Sequence, residues 1–167
     1  ANLAAIARFL RDPDFGGRFH AELRRLEATV LAPESVAAVI DRLLAPHVPE
    51  NLRNSMKAFA AARPARLAAA VPAGLAITNT VKLTNGAVIV STDRFTLGGV
   101  VDPATTRSLS VRGVAVPVDG ITGKWSLELP LSPGMNRVEV AALDSAGGLV
   151  TNLLYNIWRE RSAGGTA

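Results

Sequence analysis

The chain has 167 residues, 49% of them apolar and 19% charged, with a net charge of +4, two histidines and no cysteine. Such a chain can bury the core of one ordinary domain or two small ones, so it is not a disordered tail, and disulfides, thiol nucleophiles and zinc–thiolate centres are excluded together. The cations are spread out, ten Arg/Lys against seven Asp/Glu in residues 1–74 and eight against seven in residues 75–167, which argues against nucleic acid as a partner.

The chain opens on "ANLAAIARFL", without Met and already in a helical pattern. The expectation is a mature or trimmed piece of a longer protein, with any targeting signal upstream. Leu3, Ile6 and Leu10 share a stripe of a first helix, and Phe9 puts apolar surface on a second side of it. Asp12-Pro13-Asp14 predicts the next start: a capping aspartate, a proline suited to the first helical position and a favourable charge. Phe15, Phe19, Leu23, Leu26 and Val30 follow as one apolar face. Pro33-Glu34 opens a third helix with Val36, Val39, Ile40, Leu43 and Leu44 on its inner face, and Pro46 and Pro49 bracket a break. Leu52, Met56 and Phe59 begin a fourth helix, which Pro64 is expected to end or kink, a short "ARLAAAV" continuing to Val71.

At "VPAGLAITN" the spacing changes from helical to alternating, which places a junction near residues 72–76. Strands are predicted at 76–83, 87–91, 94–101, 107–112, 114–118, 123–130, 135–143 and 149–158. Trp125, Leu127, Leu129 and Leu131 alternate with polar positions, and after the Pro133-Gly134 turn Val138, Val140 and Ala142 continue the buried face. Seven or eight such strands with a turn about every ten residues predict an immunoglobulin-like sandwich. The fold class is therefore α+β as two modules: a helical segment over 1–72, an all-β sandwich over 76–160, and a flexible tail over 161–167.

The stretch from Gly98 to Gly148 resembles the bacterial Ig-like modules found beside enzymes and adhesins on exported proteins. The residues that carry the likeness are the W-S strand at Trp125-Ser126 and the run Leu131, Gly134, Asn136, Val138, Val140, Ala142, Asp144, Gly147. Arg112 departs from the pattern, which has Asn before Gly113. The helical half is similar to the C-terminal helices of the CotH kinase family, through Asp12-Pro13 with Phe15 and Phe19, Pro33-Glu34 with Ile40-Asp41 and Leu43, and Phe59 with Arg63, Pro64 and Leu67. That family transfers phosphate from ATP to secreted or coat proteins with acidic residues that lie upstream of this helical tail. None of those positions is present, so the resemblance implies no catalytic residue here. The likeness to exported modules implies an extracellular or cell-surface location in a bacterium.

The remaining candidate chemistry is sparse. His20 and His47 lack the partners of a metal-binding H-E-x-x-H, and Gly16-Gly17 lacks the Lys-Ser/Thr of a phosphate loop. The glycines are expected to let the first turn of a helix approach a neighbour closely. Asp93, Asp102, Asp119 and Asp144 sit at strand ends or turns, where turn chemistry selects aspartate; calcium is the other reading. No catalytic residue, cofactor or metal site is assigned, and no membrane span, since no run of 18 uncharged apolar residues exists. Trp125 belongs to the core pattern, which leaves Trp158 as the aromatic suited to an exposed contact. The expected function is a non-catalytic fragment of an exported multidomain protein with an Ig-like spacer or adhesion module. An accessory part of a CotH-like kinase is the alternative, and a carbohydrate-binding module the third reading. Leu3, Ile6, Phe9, Leu10 and Trp158 form the candidate interaction surface, facing a protein partner, an upstream domain of the same parent or a second copy.

Overall fold

A computed structural model describes residues 3–81 and 83–161, the side chains of residues 3, 67–70 and 83 excepted. Four helices come first: α1 (Leu3–Leu10), α2 (Pro13–Glu27), α3 (Pro33–Leu44) and α4 (Glu50–Ala70). Asp12 caps α2 as expected, its side chain accepting from the N–H groups of Asp14 and Phe15, with Pro13 at the first helical position. The helices pack in two pairs, α1 with α2 and α3 with α4.

Of the two outcomes expected at Pro64 the first does not occur, and one expectation about α3 is corrected. Pro64 does not end α4, which runs through it to Ala70; alanines on both sides keep helix propensity high around the one lost backbone bond. Of the predicted inner face of α3, Ile40 is buried and Val36 and Leu44 are half-buried, but Val39 and Leu43 stand exposed. A single neighbour, α4, covers a narrower stripe than the apolar residues span.

The strands follow: β1 (Ala76–Ile77), β2 (Leu83–Thr84), β3 (Ala87–Val90), β4 (Arg94–Val100), β5 (Ser108–Val111), β6 (Val114–Val116), β7 (Lys124–Pro130), β8 (Gly134–Leu143) and β9 (Leu149–Arg159). One sheet has the order β1-β4-β7, the other β2-β3-β9-β8-β5-β6. All pairings are antiparallel except β3 with β9, where Val88 faces Ile157. The chain thus changes sheets between β1, in the three-stranded sheet, and the β2–β3 hairpin, in the six-stranded one, within an immunoglobulin-type sandwich.

The predicted strand 76–83 is interrupted, and Asn79 supplies the reason. Its amide donates to the Thr96 carbonyl at 2.8 Å and accepts from the Gly98 N–H at 2.8 Å. A side chain thereby takes over the ladder to β4, and the backbone is free to cross to the other sheet. The core lies wholly between the sheets, around Leu97, Leu109, Val111, Trp125, Val138, Val140 and Ile157. Trp125, Leu129 and Leu131 are buried and Leu127 half-buried, in the alternation read from the sequence. Asn136 is buried at the β7–β8 turn, accepting from the Ser132 N–H and donating to the Ser132 and Gly134 carbonyls. That network accounts for an asparagine in the L-x-x-G-x-N run. Residues 162–167, assigned to a flexible tail, lie outside the described residues.

Candidate functional site

The helices meet the sandwich through α2. The stripe that α2 buries fully is Gly16, Gly17 and His20; of the predicted apolar face, Leu23 and Leu26 are half-buried, Phe15 and Phe19 are each 45% exposed, and Val30 lies beyond the helix end. Glycine makes the contact because backbone meets backbone. A Cβ on Gly16 would lie 2.3 Å from the Leu10 carbonyl oxygen and 2.4 Å from that of Gly120. The Gly120 N–H donates to the Arg11 carbonyl at 2.7 Å. His20 Nε2 lies 2.9 Å from the Ile121 carbonyl oxygen, and Arg24 donates both terminal nitrogens to the Asp102 carboxylate at 2.8 and 3.0 Å.

Three of the four aspartates at strand ends accept from their own turns. Asp102 accepts from the Ala104 N–H, Asp119 from those of Ile121 and Thr122, and Asp144 from those of Ala146 and Gly148. The Asp93 carbonyl accepts from the Leu131 N–H. Burial works against the charge of Asp119, but the hydrogen bonds from Thr122 and Ile121 and the Arg11 guanidinium outweigh it and hold the carboxyl below its ordinary range. Among the described residues no three His, Cys, Asp or Glu side chains converge as a metal site. His47 is exposed in the α3–α4 connection.

A comparable arrangement recurs on α4. Its half-buried residues are Arg53, Lys57, Ala60 and Pro64, and Arg53 and Lys57 both pair with Asp41 of α3. The charged and small stripe therefore faces the partner helix. The apolar stripe of Leu52, Met56 and Phe59 faces away, with Phe59 66% exposed. Phe9 and Phe15 stack on each other with ring centroids 3.9 Å apart, both still about half exposed.

The proposed interaction residues fall on two surfaces. Ile6 and Phe9 are exposed on α1, Leu10 is half-buried beside α2, and the side chain of Leu3 lies outside the described set. Trp158 belongs to the outer face of the six-stranded sheet, 44% exposed, with Ile89 and Met135 as its cross-strand neighbours. Trp125 is in the core and Tyr155 packs against it, so these two do not join Trp158 in a platform. Sequence reasoning missed α4 as a surface. The spacing of Leu52, Met56 and Phe59 was visible, but nothing in it said which stripe α3 would take.

No helix among the described residues is long and apolar enough to cross a membrane. The chain matches no protein-family model, and no curated protein matches it. Among solved structures, the fibronectin(III)-like modules of Clostridium thermocellum CbhA are similar at a TM-score of 0.39 and 13% identity, over 53% of this chain and 98% of that chain.

Proposed function

We propose that the chain is a non-catalytic interaction unit of an exported bacterial protein, in which residues 76–160 are an Ig-like spacer and residues 1–72 dock onto a second copy. The observation that carries this reading is the packing of α2 and α4, which spend small and charged residues on intramolecular contacts and leave Phe15, Phe19, Leu52, Met56 and Phe59 outward. Nine large apolar side chains on the four helices, these five among them, stand 44–66% exposed. Large apolar side chains left outward in contiguous patches on soluble chains mark interaction surfaces. Export and an extracellular location rest on the resemblance of Gly98–Gly148 to exported Ig-like modules.

Light scattering at tens of micromolar tests the reading, on the chain and on a Leu52→Glu/Phe59→Glu variant. The expected masses are two chains for the parent and one for the variant, with unchanged helical circular dichroism. A monomeric parent refutes the second-copy reading.

One observation favours a second reading, in which the helices are the C-terminal accessory part of a CotH-like kinase. The motif residues fall in order on three successive helices, Phe15 and Phe19 on α2, Pro33-Glu34 and Ile40-Asp41 on α3, and Phe59, Arg63 and Pro64 on α4. The catalytic domain would then cover the same apolar stripes. Under either reading this chain alone turns over no ATP with magnesium or manganese, and phosphotransfer by the purified chain would contradict both.

A further inference from the structure

A cleft of about 330 Å³ opens where α2 meets the connector and the sandwich, lined by His20, Leu23, Arg24, Glu27, Val71, Ala73 and Asp102. Its volume falls within the roughly 300–1,000 Å³ of small-molecule sites, which favour such junctions. The charges that line it do not balance. Arg24 commits both terminal nitrogens to Asp102, although Glu27 lies one turn further along the same helix. The Glu27 carboxylate receives no hydrogen bond from any described residue, and its Oε1 is sealed from solvent without a partner. The connector, Val71-Pro72-Ala73-Gly74, has no side-chain donor to offer. His20 spends its Nε2 proton on the Ile121 carbonyl, which can only accept, and no hydrogen bond joins its ring to Glu27 among the described residues.

One unpaired carboxylate thus stands in a cleft whose apolar walls are Leu23, Val71 and Ala73, beside the Arg24–Asp102 pair and His20. A sheltered carboxylate without a donor is costly, and a ligand that brings the donor recovers that cost. We infer that the cleft binds a primary ammonium carried on a short alkyl chain, the nitrogen on Glu27 and the methylenes along Leu23, Val71 and Ala73. A free amine and a lysine side chain of a polypeptide share this chemistry. The inference does not depend on what covers the helical stripes.

The test is a nuclear magnetic resonance titration of the full ¹⁵N-labelled chain with n-butylammonium chloride. Sodium chloride at equal ionic strength and 1-butanol serve as controls, and Nα-acetyl-lysine amide as a second probe. Saturable shifts confined to the amides of Leu23, Glu27, Ala73 and Asp102 are expected, with at least tenfold weaker binding in Glu27→Gln. That variant removes only the charge from a group that no described residue pairs with, so its thermal melt should not fall below the parent value, and lost binding cannot then be put down to unfolding. Tighter binding of the lysine amide assigns the site to polypeptide ligands, and tighter binding of butylammonium assigns it to free amines. Shifts that never saturate, that sodium chloride reproduces, or that keep their affinity in Glu27→Gln overturn the inference.

Discussion

Replacing Gly16 by alanine separates a docked α2 from a free one by the sign of the effect. In a free helix the exchange stabilises by about 0.5–1 kcal/mol, because alanine loses less backbone entropy than glycine. Here the new Cβ would stand 2.3 and 2.4 Å from the carbonyl oxygens of Leu10 and Gly120, both backbone atoms that no rotamer change can move aside. Overpacking of this kind costs about 1–3 kcal/mol, and the upper half of that range is expected, enough to reverse the propensity gain. Gly74→Ala is the control, since nothing lies within 4 Å of its Cβ position. Urea unfolding followed at 222 nm and by tryptophan fluorescence reads the two halves, because Trp125 sits in the sandwich core. The 222 nm midpoint of Gly16→Ala should fall while the fluorescence midpoint holds. A Gly16→Ala variant as stable as the parent, or more so, would show that α2 does not rest on the 119–123 loop.

Trp125→Ala should cost the sandwich about 3–5 kcal/mol, the usual loss for a buried large aromatic, given its 5% exposure and its ring against Gly99; a loss under about 1 kcal/mol in chemical denaturation would place the ring outside the core. Arg112 holds φ at 51° beside Gly113 at 80°, a turn that prefers Asn-Gly, so Arg112→Asn should raise the urea midpoint by the equivalent of about 0.5–1 kcal/mol; no gain would remove strain at this turn from the account. Asp119 is held below its ordinary value of 3.8, so its contribution is complete above that pH and is lost as pH falls through the lower folded value. Asp119→Asn should therefore flatten the acid limb of a stability–pH curve below about pH 4, and an unchanged limb would assign acid sensitivity to other carboxylates.

Where a residue's burial follows from its own strand or turn, the sequence was informative. The alternation of Trp125, Leu129 and Leu131, and of Val138, Val140 and Ala142, maps directly onto the buried faces of β7 and β8. Asp12 and the Gly16-Gly17 pair also read correctly, because a cap and a close approach each demand particular small or polar groups. The helical faces did not. Period-3.6 patterning shows where apolar side chains gather, yet on α2 and α4 Phe15, Phe19, Leu52, Met56 and Phe59 of those stripes are left outward. What packs is decided by partners distant in sequence: the Gly120 carbonyl for Gly16, Ile121 for His20, Asp102 for Arg24, and Asp41 for Arg53 and Lys57. The cleft carboxylate was invisible for the same reason, since whether Glu27 is paired depends on where Arg24 turns. Asn79 is a smaller case, its amide replacing a strand that alternation alone predicts through residue 83.

The claim that the outward stripe of α4 is covered by a second copy is tested most directly by a spin label on that stripe. The chain has no cysteine, so Met56→Cys gives a unique attachment point, and Val114→Cys, 55% exposed on the sandwich edge strand β6, gives the comparison. The account predicts dipolar broadening between labels at position 56 that vanishes when labelled chain is diluted with excess unlabelled chain, and none at position 114. Labels at position 56 that show no broadening at tens of micromolar, or broadening of equal strength at position 114, would contradict it.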